Sequence, residues 1–279
     1  MKHPTEPFRE WKAHAITWGN FLRQALERGA WMCPADESYE WVDSEILEAA
    51  AFYKHQDPSR GTMLLAFSHC DGRDAYEQAQ GWEDASFTSQ NLYDIFTIPL
   101  DGVDAVCLDF GMEYEVVIPK EDFPELKKLA EAIKVELAWQ RLRDGEEWDG
   151  DLRRVALYEG YHVAVAKIGE DKCEFCAIRN TDGSTFIALF THDDARDLGW
   201  PEIQDRYEGC EPNTAAVSGP QIFPSFISED TSGMVVNPHG PTTPVVFTGE
   251  VFELLSAEID RAYTTGPEGT DDTVPQTQA

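Results

Sequence analysis

Apolar residues along this chain fall into short runs separated by polar stretches, and the runs recur in the same order in its two halves. Thr62-Met63-Leu64-Leu65-Ala66 and Thr185-Phe186-Ile187-Ala188-Leu189 are continuous apolar segments of strand length. Each leads into a polar block. Phe67, Ser68, His69, Asp71, Arg73 and Asp74 in the first half are matched by Phe190, Thr191, His192, Asp194, Arg196 and Asp197 in the second. Upstream, residues 27–32 have a loose counterpart in residues 158–163. Downstream, Gly102-Val103-Asp104-Ala105-Val106-Cys107-Leu108-Asp109 parallels Ser232-Gly233-Met234-Val235-Val236-Asn237. A further short strand follows in each half, residues 114–118 and 243–247. A helical stretch then closes each half, residues 121–139 and 249–263.

This pattern predicts an internal duplication and an α/β (α+β) protein of two related lobes, each a small mixed sheet flanked by helices. The order in each lobe is three strands, a helix, a variable connection, two strands and a helix. Val163-Ala164-Val165-Ala166 and Phe175-Cys176-Ala177-Ile178 supply strands of the second copy, with a turn at residues 181–184. An amphipathic helix pair, residues 7–17 and 20–27, precedes the first copy. The expected boundaries are residues 1–140 for these helices and the first repeat, 141–153 for an acidic linker, 154–263 for the second repeat and 264–279 for a disordered tail.

The repeated polar block has a mechanical explanation. Ser68-x-x-Asp71 and Thr191-x-x-Asp194 match a capping box, with Asp in place of the usual Glu or Gln. Phe67 and Phe190, just before, are placed to staple onto the first helical turn. On the alternative reading, His69 with Asp71 and His192 with Asp194 form symmetry-related binding positions at exposed helix starts. Trp82 and Trp200 sit in polar contexts after the helix and are candidate binding anchors. Most of the other tryptophans are expected in the core.

Composition narrows the function classes. The 279 residues are 42% hydrophobic and 11% aromatic, which is globular. There is no apolar run of the roughly 20 residues that would span a bilayer, and residues 1–7 lack the apolar stretch of a signal peptide. A cytoplasmic protein is expected. Fifty-two acidic against 22 basic residues give a formal charge of −30, which repels nucleic acid and anionic lipid, so neither is an expected partner. The charge reads either as solubility or salt adaptation, or as an acidic face complementary to a basic partner.

The six cysteines are scattered, several within apolar runs, which fits buried free thiols in a reducing compartment. Cys173-Glu174-Phe175-Cys176 is a lone CxxC in a strand context, where positions three apart face opposite ways, so neither a zinc site nor a redox centre is expected. Signatures of nucleophile elbows, phosphate-binding loops and dinucleotide folds are absent, and His239 falls in a turn. No catalytic residue, metal site or cofactor is expected.

The second half resembles the N-terminal-type domain of the SseB family. The resemblance rests on Ile187-Ala188-Leu189-Phe190-Thr191, the following Asp194-Ala195, and Gly233-Met234-Val235-Val236-Asn237-Pro238 with its closing strand and helix. The first half is similar to a divergent second copy. The resemblance implies a small bacterial α/β domain without an established catalytic role. The expected function is non-catalytic protein binding, with capture of a basic partner, immunity- or chaperone-like, as the sharper form. The alternative is a small-ligand binder or enzyme using a site between the two lobes.

Overall fold

The computed structural model describes residues 11, 18–27, 30–36, 51–81, 86–145, 150–168, 172–179, 183–192, 196, 212–226, 232–238, 245–247 and 249–265. The chain divides into two units, Met1–Lys134 and Val135–Ala279. Both are mixed α+β, as the apolar pattern predicts.

Unit 1 begins with helix α1 (Trp18–Glu27), which leads to strand β1 (Trp31–Pro34). Strands β2 (Lys54–Asp57) and β3 (Gly61–Ala66) pair antiparallel, and helix α2 (Cys70–Gln80) follows β3 directly. The chain then adds β4 (Phe87–Gln90), which pairs β1, and the short helix α3 (Leu92–Thr97). It returns as β5 (Ala105–Leu108), parallel to β3, and β6 (Val116–Pro119), antiparallel to β5. Helix α4 (Phe123–Asp144) comes next, and the division between units falls inside it.

Unit 2 repeats the plan. Helix α5 (Asp151–Leu157) leads to β7 (Tyr161–Ile168), followed by β8 (Lys172–Phe175), β9 (Ala177–Arg179) and β10 (Thr185–Phe190). Strand β11 (Pro212–Val217) pairs β7, and helix α6 (Gly219–Ile222) follows it. Strand β12 (Gly233–Val236) runs parallel to β10, β13 (Val245–Phe247) pairs β12, and helix α7 (Gly249–Thr265) closes the unit. The strand order β11-β7-β10-β12-β13 is a continuous sheet. In unit 1 the same order, β4-β1-β3-β5-β6, is joined at its middle by a single antiparallel bridge from Met32 to Phe67.

The parallel pair at the centre of each unit explains the apolar runs. Strands β3 and β10 share one burial pattern, with two half-buried residues and then four buried ones, and β5 and β12 are buried throughout. A parallel strand covered on both faces needs apolar residues at successive positions rather than alternate ones. It also needs a crossover between its partners. The segment that reads as a variable connection in the sequence is this crossover, and it holds a strand and a short helix in both units.

The entry to each unit is matched in detail. Trp31 Nε1–H donates to the carbonyl of Ala25 at 3.3 Å, and Tyr161 Oη–H donates to that of Val155 at 3.0 Å, six residues back in both cases. Each aromatic ring is buried at the head of its strand and ties it to the preceding helix. Tyr161 Oη also accepts from Trp139 Nε1 at 3.1 Å, and its burial holds the phenol well above its ordinary range. These residues lie in the largest core cluster of unit 2, with Phe223, Leu189, Val236, Phe252 and Leu255. Gly219 lies against the carbonyl of Ala156, which a Cβ would strike, so α6 can approach α5 only with glycine there.

Several boundaries differ from those expected. Helix α4 continues to Asp144 and α5 starts at Asp151, so both ends of the 141–153 segment are helical. Gly145 and Gly150 take positive φ, 73° and 87°, where glycine is favoured. Helix α7 extends to Thr265, and residues 266–279 lie outside the described residues, as do 7–10 and 12–17 of the expected N-terminal helix pair.

Candidate functional site

The repeated block sits where β3 runs into α2 and where β10 ends. The residue that organises it lies 41 to 46 positions later, at the end of the parallel neighbour. Asp109 follows β5 and Asn237 follows β12. Both have positive φ, 52° and 48°, the left-handed region that Asp and Asn tolerate better than other non-glycine residues. That conformation turns the chain at the strand end and brings the side chain back over the neighbouring strand.

The bonds it makes are the same twice. The backbone N–H of Asp109 donates to the carbonyl of Ala66, and that of Asn237 to the carbonyl of Leu189, both at 2.8 Å. Asp109 Oδ1 accepts from the N–H of Ser68 at 2.7 Å, and Asn237 Oδ1 accepts from the N–H of Thr191 at 3.0 Å. The second side-chain atom meets the hydroxyl. Ser68 Oγ donates to Asp109 Oδ2 at 2.7 Å, and Asn237 Nδ2 donates to Thr191 Oγ1 at 2.9 Å. The hydroxyl in turn contacts Nδ1 of the next residue, His69 at 2.6 Å or His192 at 2.8 Å.

The other end of the parallel pair is matched as well. Asp104 and Ser232 precede β5 and β12, and their N–H groups donate to the carbonyls of Thr62 and Thr185, both at 2.8 Å. Their side chains accept the N–H of those threonines, at 3.0 Å by Asp104 Oδ2 and 3.1 Å by Ser232 Oγ. The Thr62 N–H and Lys120 hold the Asp104 carboxyl below its ordinary range.

The capping box is not formed at the first corner. Asp109 engages the Ser68 hydroxyl, and His69, not Ser68, is the N-cap of α2, with no side-chain cap bond. Phe67 does lie over the first turn of α2, where a Cβ on Gly72 would stand 3.3 Å from its ring, and it packs on Tyr76 at 5.5 Å between centroids. The two histidine positions are less open than the sequence suggests. His69 is half-buried and His192 is 8% exposed. Asp71 is exposed in the first turn of α2. Trp82, Asp194 and Trp200 lie outside the described residues, as do His239 and Cys210. The structure therefore brings each histidine to a hydroxyl and to an Asp or Asn that sequence reasoning aligned without assigning a role. The signal was present: an Asx residue directly after a buried strand.

Among the described residues no group of three or more His, Cys, Asp or Glu side chains is placed to hold a metal ion. Cys33, Cys107 and Cys176 are buried cysteines outside any disulfide, and Cys70 is exposed at the start of α2. Burial pushes the Cys33 thiol up to about 12 and raises Cys107 as well. Among the described residues, the large apolar side chains that stand in solvent are Phe175, Leu254 and Tyr263, at 41%, 52% and 71% exposure. Leu254 and Tyr263 share α7 with exposed Glu253 and Asp260, while Phe252, Leu255 and Ile259 of the same helix face the core. No helix among the described residues is long and apolar enough to cross a membrane.

These features define a class of α+β protein whose two units share one strand order, in each of which an Asx residue after β5 or β12 clamps the end of β3 or β10. No family model matches the chain, and no curated protein matches it. Among solved structures, Anabaena Tic22 (protein transport) is similar over 72% of this chain and 83% of its own, at 10% identity and a TM-score of 0.19. A likeness at that level carries no argument about function.

Proposed function

We propose that the chain is a non-catalytic protein-binding protein of the SseB type that captures a basic partner in the bacterial cytoplasm, in the manner of an immunity protein or chaperone. The observation that supports this reading best is how the repeated polar motif is used. In both units its hydroxyl, its Asx side chain and the histidine Nδ1 are engaged with one another within the corner. Ser68 and Thr191, His69 and His192, and Asp109 and Asn237 thus have a role inside the fold, which leaves recognition to the surface.

That surface is strongly acidic, with a formal charge of −30 over the whole chain. A field of that sign raises the encounter rate with a cationic partner by about 10- to 1000-fold at low ionic strength. Acids steer, and buried apolar contacts hold. The outer face of α7 offers both, through Glu253, Leu254, Asp260 and Tyr263. Affinity capture by the tagged full-length chain from its native lysate, with mass spectrometry at moderate and high salt, tests the proposal. A stoichiometric basic protein lost at high salt supports it. Enrichment of no protein under either condition contradicts it.

A further inference from the structure

The two corners share their backbone bonds but carry opposite side-chain polarity. In unit 1 the Asx group is a carboxylate, which only accepts. Ser68 has one hydroxyl proton, and it lies toward Asp109 Oδ2 at 2.7 Å. Ser68 Oγ must therefore accept at its 2.6 Å contact with His69, which places the imidazole hydrogen on Nδ1. In unit 2 the amide orientation is set by the backbone. Asn237 Oδ1 takes the Thr191 N–H, so Nδ2 is the group that faces, and donates to, Thr191 Oγ1. Thr191 is fully buried, and the acceptor facing its hydroxyl proton is Nδ1 of His192 at 2.8 Å. That nitrogen is unprotonated, and the hydrogen sits on Nε2.

We propose that the Asp109-to-Asn237 difference sets the corner histidines in opposite tautomers, Nδ1–H at His69 and Nε2–H at His192, and makes the unit 1 corner the one that takes up a proton. Nε2 is buried in both rings, so the two differ at Nδ1: adding a proton to His69 at Nε2 leaves the chain from Nδ1–H through Ser68 to the carboxylate intact. It also places the imidazolium one hydroxyl away from a negative charge. Adding a proton to His192 puts a hydrogen on Nδ1 against the Thr191 hydroxyl proton, which must then give up its acceptor. Among the described residues, Asp109 at the end of β5 stands one hydroxyl away from His69, and Tyr114 from the turn before β6 lies 6.2 Å away between ring centroids. Cys70 and Asp71 follow it on α2. Near His192, Tyr158 from the turn before β7 donates its hydroxyl to the Thr191 carbonyl, and the Arg196 N–H donates to the His192 carbonyl.

Long-range proton–nitrogen NMR correlation of the histidine rings in the full-length chain tests this, first at about pH 8, above the ordinary histidine range. The expected spectrum shows the protonated-nitrogen shift at Nδ1 for His69 and at Nε2 for His192. On lowering the pH to about 5.5, His69 moves to the imidazolium pattern while His192 keeps its neutral one. Asn237→Asp moves His192 to the His69 pattern, and Asp109→Asn does the converse at His69. The same tautomer at both positions in the unmodified chain, or protonation of His192 at or above the pH at which His69 charges, overturns the proposal whether or not the variants fold.

Discussion

Asn237 holds Thr191 by both its backbone and its side chain, with Oδ1 accepting the N–H at 3.0 Å and Nδ2 donating to the hydroxyl at 2.9 Å across 46 residues of chain. Both residues are almost completely buried. Replacing Asn237 with Ala removes two hydrogen bonds, strands the buried Thr191 N–H, takes one donor from its hydroxyl, and leaves a non-Asx residue at positive φ. The expected cost is about 3 kcal/mol. Amide exchange checks it: protection across β10 and β12 falls in Asn237→Ala. Asp109→Ala costs less, because Ser68 is only half-buried and water can replace the carboxylate there.

Tyr161 joins Trp139 to the carbonyl of Val155 through one hydroxyl. Tyr161→Phe keeps the ring and the packing but removes the hydroxyl that accepts the Trp139 indole N–H and one of the two bonds to the Val155 carbonyl, which still accepts the Tyr158 N–H. The expected loss is about 2 kcal/mol, with faster exchange of the Trp139 indole hydrogen as the local signature. Unchanged stability and unchanged indole exchange would count against the role given to this hydroxyl.

Asp104 and Ser232 do the same work at the other end of the parallel pair, but only Asp104 titrates. Its folded carboxyl lies below the ordinary value of 3.8, chiefly through the Thr62 N–H. A depressed folded value contributes stability that is present above the unfolded value and is lost as pH falls through the folded one. Asp104→Ser, which installs the unit 2 solution, is therefore expected to lose its disadvantage relative to the unmodified chain as the pH falls below 3.8. Chemical denaturation at neutral and acidic pH checks the convergence.

Thiol labelling reads burial directly. Cys70 is exposed, whereas Cys33, Cys107 and Cys176 are at most 1% exposed, and burial raises the first two thiols of that set. Since the thiolate is the reactive form, an alkylating reagent at about pH 8 is expected to modify Cys70 first and the other three only on unfolding. Peptide mapping separates the four.

On α7, Tyr263→Ala is expected to weaken partner capture by about tenfold or more while leaving stability unchanged, as for an exposed aromatic anchor. Equal affinity with and without the ring would remove this face from the binding surface.

The parallel strands and the corner were legible because a buried parallel strand writes itself as a continuous apolar run, and because Phe67-Ser68-His69 recurs as Phe190-Thr191-His192. The crossover was not. Strand β4 and strand β11 are short and carry polar residues, so Phe87-Thr88-Ser89-Gln90 and Pro212-Asn213-Thr214-Ala215 give no periodic signal. The match upstream was off by one. Aligning Gly29 with Gly160 pairs Met32 with Val163, whereas the bridge of Met32 to Phe67 corresponds to that of His162 to Phe190. The aromatic pair Trp31 and Tyr161, each bonded six residues back, sets the true register. The capping box is not formed at the first corner, where the Ser68 hydroxyl is taken by a residue 41 positions away, a contact that no local window contains.

The most direct test of the central claim is the association rate of the chain with its captured partner, measured as a function of ionic strength. An acidic protein that steers a basic one is expected to lose about tenfold or more in association rate between low and high salt, with little change in dissociation. An association rate indifferent to salt would contradict electrostatic capture as the way this protein works.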